Sequence, residues 1–185
     1  KLTATDSWHC GIIHQAARCG RVNILSNSHC DDLDFTLPDW QGRQPIHYAA
    51  EFSQLECLKF LIETKNVNIN AQDKFGMTSL HAACAKGNVD IVNYLLDCKA
   101  EMLSDCLGRT PVEVATAKAQ LEVLQAIASK DKSLLTATDS HNRNLAHYAA
   151  LSEFDAGIRV LSAIPEIDFN QIDSFGMAPL HYAAE

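Results

Sequence analysis

The sequence predicts an all-α solenoid, built from stacked helix-turn-helix units with protruding hairpin-like loops between them. Three observations carry this. A twelve-residue frame opening on Asp recurs six times, at Asp6, Asp39, Asp73, Asp105, Asp139 and Asp173. The spacings are 33, 34, 32, 34 and 34 residues, and so regular a period marks a repeat array. After the frame comes an apolar stretch at helical spacing, as in Val89, Ile91, Val92, Leu95 and Leu96. Such a unit cannot bury its apolar face alone, whereas stacked neighbours can. The hexapeptide LTATDS, present at 2–7 and again at 135–140, is the entry to units one and five.

Each element follows in order along the frame. The fourth frame position carries Gly42, Gly76, Gly108 and Gly176, as a tight turn with positive φ requires. His9 and Asn142 stand there in units one and five, and both types are enriched at positive φ. A helix start comes next: Thr78 and Thr110 suit the N-cap, and Pro45, Pro111 and Pro179 suit the first helical position. Alanine pairs follow, such as Ala49-Ala50 and Ala82-Ala83, and let successive inner helices approach closely. The second helix then carries the apolar stripe, as in Leu55, Leu58, Phe60, Leu61 and Ile62.

Some units depart from the frame. Unit one has Gly11 and Ile12 in place of Thr and Pro, with a polar, acidic connection after it, so its second helix should be short. Unit four has Glu113 in place of His and no Gly before its second helix. In unit five, Pro165 should close the second helix, since its ring clashes inside one. Unit six reaches only its first helix, and the chain is read as a piece of a longer protein.

This frame resembles the ankyrin repeat, whose pattern is roughly D-x-x-G-x-T-P-L-H-x-A-A, then a Gly and a second apolar helix. Unit three, DKFGMTSLHAACAKGNVDIVNYLLDCKA, matches it best of the six. The resemblance spans essentially the whole chain. It implies one array over residues 1–185, with repeats at about 6–38, 39–72, 73–104, 105–138, 139–172 and a partial one at 173–185.

Composition limits function. The chain has 185 residues, 47% of them hydrophobic, enough for a core. A net charge of -8 argues against nucleic acid or an anionic membrane surface as the main partner. No apolar run reaches the roughly 18 residues of a membrane span, so no direct insertion is expected. Seven Cys occur with no C-x-x-C pair, which reads as core residues plus surface thiols in a reducing compartment. The expected location is therefore intracellular and cytoplasmic. His14, His47, His81, His147 and His181 share one frame position. A solenoid spreads such equivalents along its length, whereas a catalytic or metal site needs convergent groups. The expectation is that each imidazole bonds its own helix start and the neighbouring loop. There is no phosphate loop, no G-x-G-x-x-G and no H-E-x-x-H. No catalytic residue, cofactor or metal is assigned.

The resemblance places partner binding at exposed, variable frame positions on a concave side. Counting from the Asp, position three reads Trp8, Gln41, Phe75, Leu107, His141 and Phe175, with Trp40 beside it at position two. Position five includes Arg43, Met77, Arg109, Arg143 and Met177, and Phe52 lies at position fourteen. Exposed apolar clusters mark interaction sites, and aromatics, Met and Arg are favoured at interfaces. The expected binding residues are therefore Trp8, Trp40, Arg43, Phe52, Phe75, Met77, Leu107, Arg109, His141, Arg143, Phe175 and Met177, with Tyr48 extending the same surface. The competing reading is that these side chains pack loop against loop. The expected partner is a protein segment offering apolar anchors and acidic groups. The function expected is a non-catalytic interaction module, a scaffold or adaptor. The alternative is a regulatory or substrate-docking domain of a larger enzyme, membrane channel or microbial effector. The resemblance also puts Asn70 and Asn170 at the loop position that asparaginyl hydroxylases modify in some ankyrin repeats.

Overall fold

The recurring Asp explains the loop. In every unit its Oδ1 accepts the backbone N–H groups two and four residues on. Asp39 takes Gln41 at 2.8 Å and Arg43 at 2.8 Å, and Asp73 takes Phe75 and Met77 at 2.8 and 2.9 Å. The same pair of bonds forms on Asp6, Asp105, Asp139 and Asp173. The turn then forces the fourth frame residue to positive φ. Gly42 lies at φ 82° and Gly76 at 73°, while His9 and Asn142 both adopt 60°. At Gly42 glycine is required twice over, since a Cβ there would stand 2.9 Å from the Lys74 backbone nitrogen.

The structure, a computed structural model, describes residues 5–27, 33–151, 158, 161–162, 164–165 and 167–184. Inner helices are α1 (Ile12–Arg18), α3 (Pro45–Glu51), α5 (Ser79–Lys86), α7 (Pro111–Ala117), α9 (Leu145–Leu151) and α10 (Pro179–Ala183). Outer helices are α2 (Val22–Leu25), α4 (Leu55–Lys59), α6 (Val89–Asp97) and α8 (Leu121–Lys130). Each inner helix packs on the inner helix of the next unit, and each of these outer helices packs on its own inner helix. The alanines permit the first contact: Ala17, Ala50, Ala83 and Ala149 are wholly buried. Between the layers lie Leu25, Leu58, Leu80, Ile91, Leu95, Leu124 and Ile127, also buried. The result is the all-α repeat solenoid of the sequence expectation.

Details depart from it. The loops are hairpin-like in their turns only. Among the described residues there is no strand, and the one isolated bridge pairs Thr5 with Gly11. Four of the five successive loop pairs are instead joined by single backbone bonds: Trp40 N–H to Trp8 O, Lys74 to Gln41, Cys106 to Phe75, and Ser174 to His141, at 2.8–3.1 Å. Helix α2 is one turn long, as the irregular first unit implied. The second helix of unit two widens into a π turn over Phe60–Thr64, which carries the chain into the buried Val67 and sets Phe60 beside Phe35. Pro165 sits in a turn after the helical Leu161 and Ser162; most of residues 152–160 lie outside the described residues.

The missing glycine of unit four has a visible cost. The residue two positions before each outer helix takes a left-handed backbone, met by Gly20, Ser53 and Gly87, and in unit four by Ala119 at φ 57°. A side chain costs about 1 kcal/mol or more in that region, while glycine loses about 0.5–1 kcal/mol through its extra freedom when unfolded. Ala119→Gly is therefore expected to raise the thermal midpoint by about 1–3 °C. A lowered midpoint in a calorimetric scan would refute that account.

Candidate protein-interaction surface

The five recurrent histidines are spent on structure. Nδ1 of His14, His47, His81, His147 and His181 accepts the backbone N–H of the N-cap residue, at 2.9–3.2 Å. That leaves the proton on Nε2, which in the first four reaches a carbonyl of the next unit. His14 donates to Arg43 O, His47 to Met77 O and Ala71 O, His81 to Arg109 O, and His147 to Met177 O, all at 3.1–3.2 Å. Burial, the leading cause, lowers the pKa of His14, His47 and His81, so these rings stay neutral. Among the described residues no cluster of His, Cys, Asp and Glu has the geometry of a metal site. Cys10, Cys57 and Cys84 are buried, and Cys19, Cys98 and Cys106 are exposed; all six are free thiols, and Cys30 lies outside the described residues. Burial pushes the Cys57 thiol up to about 11, far from a reactive thiolate.

The arginines are partly spent as well. Arg43 Nε donates to Asp39 Oδ2 at 3.1 Å, its Nη2 to Tyr48 Oη at 2.6 Å, and its Nη1 to Glu51 at 3.4 Å. Arg109 grips Asp105 Oδ2 through Nε and Nη2, at 2.9 and 2.7 Å. Arg143 repeats the arrangement on Asp139 and Tyr148. The tyrosine hydroxyls complete it, since Tyr48 and Tyr148 each donate to the Asp of their own frame at 2.7 Å. Tyr48 is only 6% exposed, so it does not extend the outer surface as the sequence reading expected. Asp and Arg four residues apart in three of the six frames were a legible signal for this pairing.

What remains exposed is apolar. Trp8, Trp40, Phe75, Leu107 and Phe175 stand out from the loop tips, with 45–69% of each exposed, and Phe52 caps α3 beside them. Met77, Met177 and His141 are half-buried in the same ridge. Some tips do pack on their neighbours. Trp8 and Trp40 meet at 5.6 Å between ring centres, and His141 stacks on Phe175 at 5.6 Å. Phe52 stacks on Tyr48 and carries the Arg18 guanidinium 4.8 Å above its ring.

Two adjoining clefts run between this ridge and the inner helices. One, of about 380 Å³, is lined by Trp8, Trp40, Tyr48, Phe52, Arg18 and Glu51. The next, of about 230 Å³, is lined by Arg43, Glu51, Phe75, Met77, Ala82 and Lys86. Glu51 sits between them, bonded to Arg43 and paired with Lys86 at 3.4 Å. Sequence reasoning missed Arg18 and Lys86, because nothing in their own frames sets them apart. Asn70 has a structural task, accepting the Glu101 N–H at 3.0 Å, whereas the Asn170 side chain is exposed.

A helical repeat array with an apolar loop ridge over open clefts defines a class of repeat interaction domains, and known proteins resemble this chain. Residues 39–96 match the family described as "Ankyrin repeats (many copies)". Rabankyrin-5 of Mus musculus is 27% identical over 147 residues, covering 78% of this chain and 12% of that protein. Ankyrin repeat protein nuc-2 of Neurospora crassa is 26% identical over 175 residues, covering 93% of this chain and 16% of that protein. The chain thus spans less than a fifth of either relative. Among solved structures, the human ASB11 ankyrin repeat domain superposes with a TM-score of 0.80 at 20% identity, covering 95% of this chain and 77% of that one. A chain from the structure of the Bd0816 predatory endopeptidase from Bdellovibrio bacteriovorus in complex with immunity protein Bd3460 gives a TM-score of 0.75 at 21% identity, covering 98% of this chain and 92% of that one. The family match covers residues 39–96, and the fold is that of the ankyrin repeat domain. Repeats of this family are generally protein-protein interaction modules. Among the described residues, no helix is long and apolar enough to cross a membrane.

Proposed function

We propose that the chain is a non-catalytic module that binds a partner protein along the loop ridge and its two clefts. The observation that carries this is the row of large apolar side chains left half or more exposed at Trp8, Phe75, Leu107 and Phe175. Loop tips are ordinarily polar, and an apolar row over open clefts is a surface that association would bury. A partner segment would seat apolar anchors in the clefts. Arg109, with its Nη1 group unbonded among the described residues, is the guanidinium best placed to add an acidic contact. The proposed role is that of a scaffold or adaptor working inside the cell, and the array over residues 1–185 acts as one binding domain. A docking domain within a larger protein is the second reading, favoured by the small share of Rabankyrin-5 and nuc-2 that the chain covers.

Phe75→Ala with Leu107→Ala tests this. Both side chains are more than half exposed, so the midpoint is expected to move by no more than about 2 °C. Partners recovered by affinity purification with the wild type should bind the double variant at least about tenfold more weakly. Unchanged affinity for every recovered partner would refute the ridge as the interface. A large fall in the midpoint would show that the tips serve loop packing.

A further inference from the structure

We propose that the junction between units four and five is a proton-operated latch whose moving part is the Glu113 side chain. At the four junctions described above, an imidazole Nε2–H crosses to a loop carbonyl of the following unit. Glu113 occupies the equivalent place in α7 and is wholly buried. Its Oε2 accepts the Thr110 N–H, as the imidazole Nδ1 does elsewhere. Its other oxygen, Oε1, is buried with no hydrogen-bond partner. The group that the repeat pattern sets opposite Oε1 is the Arg143 carbonyl, itself an acceptor. An ionised carboxylate has only lone pairs to offer there, whereas a protonated one carries the O–H donor that the junction lacks.

A second observation falls at the same place. Backbone bonds tie the loops of units one to two, two to three, three to four, and five to six. Among the described residues, none ties the loop of unit four to that of unit five. The junction with the anomalous side chain is the junction with the missing rung.

The surroundings favour the proton. Burial pushes Glu113 up to about 7; the Thr110 bonds and the Arg143 charge oppose this, and the Asp139 charge reinforces it. Asp139 and Arg143 face it from the next loop, where they bond each other. Tyr148 lies on α9, with its hydroxyl on Asp139, beside His147, whose Nε2 is spent on Met177 O. On α5, His81 is spent on Arg109 O, and the Glu122 and Lys130 of α8 are exposed. Arg143 is engaged with Asp139, and among the described residues no cation bonds to Oε1.

The sign follows from linkage. The folded state keeps the Glu113 proton up to about 7, whereas an unfolded glutamate releases it near 4.5. Latch stability is therefore complete below about 4.5 and lost as pH rises to about 7. Glu113→Gln mimics the protonated acid at every pH, its carbonyl accepting from Thr110 and its amide donating across the junction. Thermal melts of both proteins should coincide near pH 5, with the variant higher by about 5 °C at pH 8. Amide exchange, corrected for its intrinsic pH dependence, should show Leu145–Ala150 losing protection from pH 5.5 to 8 in the wild type and keeping it in the variant. Glu122→Gln on the exposed face should show no pH-dependent gap. Glu113→His, which restores the frame residue, should also raise the midpoint at pH 8. A gap between wild type and Glu113→Gln that is the same at pH 5 and pH 8 overturns the latch. If Glu113→Gln does not fold, a Glu113→His midpoint at pH 8 equal to or below the wild type does the same.

Discussion

Replacing His81 with Ala is expected to destabilise the array by about 3 kcal/mol. The side chain is wholly buried. It accepts the Thr78 N–H at 3.1 Å, sits 2.9 Å from the Thr78 hydroxyl, and donates to Arg109 O at 3.1 Å. Truncation orphans buried groups in two units, at about 1–3 kcal/mol for each unsatisfied group, and leaves a cavity as well. The second loss is the more consequential. His81 lies in unit three and Arg109 in unit four, so the substitution weakens an interface on which a one-dimensional array depends. Urea denaturation should show the loss, with exchange quickening first around Arg109. A change below about 1 kcal/mol would mean that the imidazole only fills space.

Acid is expected to strip stability in two stages. His14, His47 and His81 have lowered pKa values in the fold, chiefly through burial. A group of that kind stabilises fully above its unfolded value of 6.5, and the contribution falls as pH drops below 6.5 toward the folded value. Protonation also places a hydrogen on Nδ1, where the N-cap N–H already points. The second stage belongs to the frame carboxylates. Burial pushes Asp39, Asp105 and Asp139 upward, but the Arg and backbone N–H interactions, with a Tyr bond at Asp39 and Asp139, together outweigh it and hold all three below the usual 3.8. Their contribution is present above 3.8 and lost as pH falls further. Glu113 works in the opposite direction between about 4.5 and 7 and softens the first stage. Melts followed by circular dichroism should lose about 5 °C or more between pH 7 and pH 5, and lose the cooperative transition below pH 3.8. A midpoint unchanged from pH 7 to pH 5 would refute neutral, structural imidazoles.

The local parts of this protein were legible because they are closed within a few residues. Asp39 bonds amides two and four positions on, Gly42 makes the turn between them, and Pro45 starts the helix. Nothing distant is needed, so period, helices and turns follow from order alone. The site was legible only in part, for the same reason reversed. That Phe75 and Leu107 remain exposed depends on which neighbouring loop covers them. Trp8 and Trp40 are large and apolar as well, and only the stacking of units one and two shows that their rings also meet.

The sequence by itself determined the repeating frame and the starts of the described inner helices, since short-range hydrogen bonding and apolar periodicity dictate them. Only the tertiary structure decided how each frame position is used. Arg43 and Tyr48 face inward to Asp39 because the turn and α3 converge there, although both are interface-favoured types in sequence. Glu113 reads as one tolerated variant of His until the next unit's loop is laid against it. The stacking then buries Oε1 without a donor, and a neutral substitution in sequence becomes an unbalanced charge in space.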